Sequence, residues 1–209
     1  MISGDIPKEW PRHRTAGVDE VGRGALFGPV VAAAVILPNS TIASLTKAGV
    51  TDSKKLSPQK RQQLALQIGQ TAHFAVGMAS VYEIDRINIL QASLLSMRRA
   101  VSRLSPQPAF CLVDGNQLIP KLPMPQRTVV KGDLNELAIA AASIVAKVWR
   151  DELIVRLSDR YPGYDLASNK GYGSAKHRAG IANQGICRQH RKSFRSCQVS
   201  KQLRLDTSK

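Results

Sequence analysis

TAGVDEVGRGALFGPVVAAAVILP, residues 15–38, is the stretch on which the reading of this chain turns. Its apolar segments, Thr15–Glu20 and Val30–Leu37, are strand-like, and the glycine-rich turn between them can pair them as a hairpin. Two adjacent carboxylates, Asp19 and Glu20, close the first segment and run directly into Gly22-Arg23-Gly24. Neighbouring side chains on a strand point to opposite faces. In a purely structural role one of two adjacent acids would therefore face the core. Acids at a strand end, beside glycines that let a ligand lie against the main chain, mark a site rather than a surface.

Outward from this stretch, Thr51–Leu56 (TDSKKL) reads as a polar loop. Ser57-Pro58 supplies an N-cap and a first-turn proline for a helix to about Gln70. A third strand follows over His73–Ser80. Apolar residues at Ile84, Ile87, Leu90, Leu94, Leu95 and Val101 give helical spacing from Tyr82 to Arg103. Ala109–Val113 is a fourth strand, stopped by Asp114-Gly115-Asn116. Arg127–Val130 is a short fifth strand, ending at Lys131-Gly132-Asp133. A long helix is expected from Asn135 to about Tyr161, with short helices near Ser174–Asn183 and after Cys187. This order implies an α/β fold, a mixed sheet with helices on its faces and a helical C-terminal region.

Asp19, Glu20, Asp114 and Asp133 each end or closely follow a strand-like segment. Gathered carboxylates repel one another, and divalent metal is the usual remedy. An all-oxygen set without His or Cys points to Mg²⁺ or Mn²⁺ rather than zinc. Two such ions roughly 4 Å apart suit phosphodiester hydrolysis. Taken alone, Asp114 also fits Asp-Gly turn chemistry, and Asp133 with Glu136 resembles a helix N-cap with its capping-box partner.

The 30 Lys and Arg against 15 Asp and Glu give a net charge of +15, which calls for a polyanionic partner such as nucleic acid. From Lys176 to Lys209, nine Lys or Arg face a single acid, Asp206, which reads as nucleic-acid grip. The 209 residues suffice for one domain that needs no staple. Cys111, Cys187 and Cys197 form no CxxC pair and leave one over in any disulfide scheme, which argues for a reducing compartment. The first residues have no apolar core, and no run is long enough to span a bilayer. A cytoplasmic, membrane-free monomer is the expectation.

GVDEVGRG, GPVVAAAVIL, DSKKLS, LVDGN, VVKGD with IAAASIVAKVWRDEL, and NKGYGSAKH occur in this order. Over about residues 15–195 the chain resembles ribonuclease HII, the type 2 ribonuclease H, in its bacterial form. The resemblance implies an RNase H-like fold with a mixed five-stranded central sheet flanked by helices. The span 15–195 is the expected catalytic domain; the residues themselves read as a flexible arm over 1–14 and a basic, disordered tail over 196–209. The implied catalytic and metal-holding carboxylates are Asp19, Glu20, Asp114 and Asp133, with Mg²⁺ or Mn²⁺. The implied activity is hydrolysis of RNA in RNA–DNA hybrids and cleavage 5′ to ribonucleotides embedded in duplex DNA, leaving 3′-OH and 5′-phosphate ends. Gly22, Arg23 and Gly24 would contact the ribonucleotide, and Tyr172 the deoxyribose on the DNA side of the junction. Lys54, Lys55, Lys170, His177 and Arg178 are further candidates for the substrate groove, with His177 suiting proton transfer or product release and, equally, a surface imidazole beside phosphate. Lys147 and Asp151, four apart, suit an intrahelical ion pair. The chain departs from the family pattern at Trp149 and in RKSFRSC, where a Gly-Pro often follows the SF pair. A hybrid-binding protein without catalysis, or a less selective two-metal nuclease, is the competing interpretation.

Overall fold

Every residue of β2 (Val30–Ile36) is buried, as a strand covered on both faces must be. The computed structural model describes residues 11–198. Around β2 lie β1 (Thr15–Val21), β3 (His73–Ala79), β4 (Phe110–Asp114) and β5 (Gln126–Val129), in the order β3-β2-β1-β4-β5. β1 and β3 pair antiparallel with β2, whereas β1–β4 and β4–β5 are parallel. The hairpin, the five-stranded mixed sheet and the flanking helices all follow the sequence expectation.

Two long helices make the outer layers. α3 (Val81–Arg103) covers one face, where Leu94, Met97 and Val101 meet Ala32, Ala34 and Ile36. α5 (Leu137–Ser158) and α2 (Pro58–Thr71) cover the other, where Ala141, Ile144, Leu64 and Ile68 meet Ala33 and Val35. The period of two along β2 thus divides one apolar run between two cores. Glycine sets how closely the layers approach. A Cβ on Gly17 would stand 2.1 Å from the carbonyl carbon of Ala138 in α5, and one on Gly77 2.2 Å from the Ser96 carbonyl oxygen in α3.

Four local features differ from the sequence expectation. α1 (Asn39–Ala48), spelled NSTIASLTKA, was not legible because six of its ten residues are Asn, Ser, Thr or Ile, weaker helix formers, and it buries only Leu45. Gly49, at φ 85°, ends it by donating to the Leu45 and Thr46 carbonyls. Ser53–Lys55 forms a 3₁₀ turn inside the polar loop, capped by Asp52. α3 is broken at Asn88 (φ 65°, ψ 167°), whose Oδ1 accepts from Gln91 N–H and restarts the helix. The long helix is broken too. Glu136 is extended and separates α4 (Gly132–Asn135) from α5, and neither helix has a side-chain cap, so the capping box of Asp133 with Glu136 is not formed.

Beyond α5, α6 (Leu166–Asn169) and α7 (Ala175–Gln184) fold back onto the turn between β1 and β2. Tyr164, Leu166, Ile181 and Cys197 pack with Leu26, Phe27 and Ile154. The segment after Cys187 makes turns before a helical stretch over 195–198. Most of the arm over 1–14 and of the tail over 196–209 lies outside the described residues. None of the three cysteines forms a disulfide; burial pushes the Cys111 thiol up to about 12 and the Cys197 thiol up to about 11. Among the described residues no helix is long and apolar enough to cross a membrane.

One capping box is formed among the described residues. Ser80 accepts from Glu83 N–H, Glu83 accepts from Ser80 N–H, and Arg99 grips the same carboxylate at 2.7 Å. Hydrogen bonding from Arg99 lowers the Glu83 carboxyl to about 2. Its stabilisation is therefore full above the unfolded value and is lost as pH falls through the folded one. Glu83→Gln keeps the capping acceptor and loses the partly exposed ion pair, so it should cost up to about 1 kcal/mol at pH 7, and the gap in melting temperature should shrink as pH falls from about 4.5 toward 2.

Candidate active site

The parallel pairing of β1 with β4 brings the ends of both strands to the same edge of the sheet. Asp19, Glu20, Asp114 and Asp133 line one cleft there, of about 590 Å³, together with Gly22, Arg23, Gly24, Ser53, Lys54, Lys147 and Tyr172. Four carboxylates, the glycine-arginine turn, one loop lysine and the tyrosine are thus neighbours, as the motifs anticipate. Lys55 does not line the cleft.

Each carboxylate is held by its strand or turn. Asp19 is 7% exposed, and its Oδ1 accepts from Glu20 N–H at 2.7 Å. Burial, then the charges of Glu20 and Asp114, hold its carboxyl well above the usual range. Glu20 is raised by burial as well, against the opposing pull of Arg23, whose Nη1 donates to Oε1 at 3.1 Å. Asp114 accepts from Gly132 N–H at 2.8 Å, tying the end of β4 to the turn that carries Asp133. Asp133 is raised by burial and then by Asp52, with Lys54 opposing. Asp52 is a fifth acid at this edge that the sequence reading passed over, because in TDSKKL it looks like an ordinary turn residue.

A hard divalent cation relieves this kind of crowding, and an oxygen-only donor set suits one. Among the described residues, no three His, Cys, Asp or Glu side chains are gathered closely enough to hold an ion as they stand. Glu20 is turned toward Arg23 and Asp114 toward Gly132 N–H, so the donors fit in chemistry and must draw together to clasp an ion.

The glycine-arginine turn rests on two buried arginines that the sequence reading did not single out. Both are fully buried. Arg150 donates to the carbonyls of Pro29, Phe27 and Lys170 at 3.1, 3.0 and 2.9 Å. Arg191 donates to Gly28 at 3.0 Å and Arg23 at 2.7 Å. Neither makes a salt bridge with a carboxylate among the described residues, and burial lowers both, Arg191 to about 9. Gly22, at φ 90°, has no room for a side chain, since a Cβ there would stand 2.1 Å from Arg150 Nε. A Cβ on Gly24 would meet nothing within 4 Å, so this glycine borders open cleft. Arg61 steadies the opposite wall, donating to the Ser53 and Leu56 carbonyls at 2.9 Å each.

Tyr172 lies under two cations, with Lys147 Nζ 5.6 Å and Arg150 Cζ 5.5 Å from its ring centre. The intrahelical pair is present, Lys147 Nζ to Asp151 Oδ1 at 2.8 Å. Two neighbours of Tyr172 in sequence are placed differently from expectation. Lys170 bonds the Ala167 carbonyl and lines a separate groove between α2 and α5, because Lys170 and Gly171 both take positive φ and turn the chain. His177 is fully buried, not a surface imidazole. Arg178 is exposed and bonds the Gly173 carbonyl. Of the basic C-terminal residues, Arg191 is interior and so belongs to the frame rather than to a gripping surface. The unusual RKSF segment is anchored by Asp85, which accepts from the Lys192 and Ser193 backbone N–H groups at 3.1 and 2.9 Å. Trp149 sits half-buried on α5.

The family model described as Ribonuclease HII matches residues 16–197. A ribonuclease HII of Acaryochloris marina is 71% identical over 189 residues, covering 90% of this chain and 96% of that protein. Among solved structures, ribonuclease H2 of Pyrococcus horikoshii superposes with a TM-score of 0.75 at 25% identity, covering 90% of this chain and 97% of the other. Bst-RNase HIII in complex with Mn²⁺ superposes with a TM-score of 0.69 at 21% identity, covering 90% and 69%.

If unrelieved repulsion is the defining property of this edge, removing one charge should stabilise the metal-free protein. Asp19→Asn keeps the acceptor for Glu20 N–H and deletes the most crowded charge. Its melting temperature without divalent ions should exceed that of the parent; a gain of about 1 kcal/mol would read as roughly 2–4 °C. An equal or lower melting temperature would mean that Asp19 is compensated in a way this geometry lacks.

Proposed function

The chain belongs to the ribonuclease HII family, and on that premise we propose how its cleft selects and cuts a substrate. The enzyme is a ribonuclease H, an endonuclease that hydrolyses RNA in RNA–DNA hybrids, and its family is a divalent-metal one. Our finer reading is that it also cuts 5′ to a ribonucleotide embedded in duplex DNA, leaving 3′-OH and 5′-phosphate ends. The observation that carries this reading is the shared cleft, in which the carboxylates, the Gly22–Gly24 turn and Tyr172 meet.

In this reading Asp19, Glu20, Asp114 and Asp133 hold Mg²⁺ or Mn²⁺. When bound, the metal supplies a Lewis acid for the phosphate and for a water nucleophile. The remaining work falls to the chain's own groups. Arg150 and Arg191 turn the carbonyls of the Gly22–Pro29 stretch inward, which fixes the turn before substrate arrives. Gly24 leaves space for a sugar against the main chain, where a 2′-OH, both donor and acceptor, can be told from hydrogen. Arg23, with a 52% exposed side chain, can leave Glu20 for a phosphate, which also frees the carboxylate. Tyr172 packs on the deoxyribose side of the junction, and Lys54 meets backbone phosphate. The +15 charge supports a nucleic-acid duplex as the partner.

The deciding assay is a labelled DNA duplex with one ribonucleotide, beside an all-DNA duplex, with Mg²⁺ or Mn²⁺. A cut 5′ to the ribonucleotide is expected from the parent, with none in the all-DNA duplex and none from Asp114→Asn. Tight binding without a cut would favour a hybrid-binding protein, and cleavage of all-DNA would remove the 2′-OH selectivity. Asp133→Asn should lose metal-dependent turnover while stability shifts by no more than about 0.5 kcal/mol, because no cap depends on it. Tyr172→Ala should lower the preference for the junction over long hybrids by about tenfold, or about 1.4 kcal/mol; equal loss on both substrates would count against its assignment.

A further inference from the structure

His177 and His190 are both fully buried, and their rings meet Nε2 to Nε2 at 3.1 Å. Two imidazoles in an interior must satisfy their nitrogens or bear a large desolvation cost. His177 Nδ1 lies 2.9 Å from the Tyr172 carbonyl oxygen. A carbonyl only accepts, so this nitrogen carries the proton. In a neutral ring His177 Nε2 is then bare and must accept, so His190 Nε2 must donate. His190 Nδ1 is left bare in turn, and it faces two donors, the Cys187 backbone N–H at 3.0 Å and the Cys187 thiol at 3.2 Å. Started from either end, the assignment is the same. The protons run one way, from Cys187 through His190 and His177 to the carbonyl of Tyr172.

Charging His177 would set N–H against N–H at the contact between the rings, and charging His190 would set its Nδ1–H against the Cys187 backbone N–H. Burial holds both imidazoles below their usual value, His190 down to about 4 with the neighbouring His177 contributing. Aromatic edges close the site: Phe27 and Tyr164 stand 5.3 and 4.6 Å from the His190 ring centre.

The two ends of this chain of bonds belong to the two substrate-reading elements. At one end, the Tyr172 carbonyl also accepts from Ser174 N–H at 2.8 Å, fixing a turn that holds Lys170 at positive φ beside Gly171. At the other, residues 189–191 are pinned to the β1–β2 turn. The Gln189 carbonyl accepts from Gly28 N–H, the Leu26 carbonyl accepts from Arg191 N–H, and Arg191 Nη1 reaches the Arg23 carbonyl.

We propose that His177 and His190 are positioning residues, a one-way hydrogen-bond relay that sets Tyr172 against the Gly22–Gly24 turn and so sharpens recognition of the RNA–DNA junction. The functional half rests on the reading of Tyr172 given above; the relay itself rests on geometry alone.

The two halves are tested separately. Long-range ¹H–¹⁵N correlation spectra of the parent protein at pH 7 should show opposite neutral tautomers, His177 protonated at Nδ1 and His190 at Nε2. The same tautomer on both rings, or a charged ring, overturns the relay. For function, His177→Leu deletes the donor to the Tyr172 carbonyl, while His177→Asn puts an amide N–H₂ close to where Nδ1 stood. The Leu variant should raise KM for a single-ribonucleotide duplex about fivefold, the scale of one lost hydrogen bond, with kcat on long hybrids kept, and the Asn variant should recover the difference. Equal loss on both substrates, or no recovery with Asn, overturns the positioning role. A parent enzyme that never cuts the single-ribonucleotide duplex would sink the reading of the junction and, with it, the positioning role, while the tautomers would still decide whether the relay exists.

Discussion

Like charges gathered at the end of a sheet set the terms for this molecule. Asp19 is almost wholly buried with Glu20 and Asp114 as electrostatic neighbours, and Asp133 faces Asp52. Crowding of this kind is tolerated only where the fold over-determines the positions and where positive charge can be recruited. Register and strand direction do the first. Asp19 is opposite Ala33 in an antiparallel pair, one residue beyond the Val18–Val113 parallel pair that brings Asp114 alongside. Arg23, Lys54 and Lys147 around the same cleft do part of the second, and the family's divalent metal would complete it.

The site is also a joint between two halves of the sequence. The β1–β2 turn and the C-terminal segment are one packed unit, with Phe27 against Tyr161 and His190. The helical C-terminal region is therefore less an appendage to the sheet than the support for the turn that borders the carboxylates. That arrangement explains why a segment with few apolar residues contains two fully buried histidines and a fully buried arginine.

Much of this was legible from the residues. The Asp19-Glu20 pair resists a structural explanation, and the unbroken apolar β2 announces a strand covered on both sides. Other features were hidden for definite physical reasons. Lys170 and His177 were read as groove residues through nearness to Tyr172 in sequence, but two successive positive φ angles swing one away, and the helix start at Ser174 turns the other inward. Arg150 did leave a trace, because Ala146, Arg150 and Ile154 fall four apart on the buried stripe of α5. A cation on such a stripe signals buried carbonyl acceptors. Asp52 and α1 left no comparable trace. One has the chemistry of any polar turn, and the other has the composition of a loop.

Arg150 and Arg191 grip the turn through main-chain oxygens of Arg23, Phe27, Gly28 and Pro29. Every amino acid carries that oxygen. The scaffold is consequently indifferent to the side chains at the two exposed positions, 23 and 24, while packing fixes Leu26 and Phe27 and backbone conformation fixes Gly22 and Gly28. Shape and selectivity are thereby encoded in different atoms of the same residues, which leaves position 23 and the open flank at Gly24 free to diversify without loosening the loop that presents them.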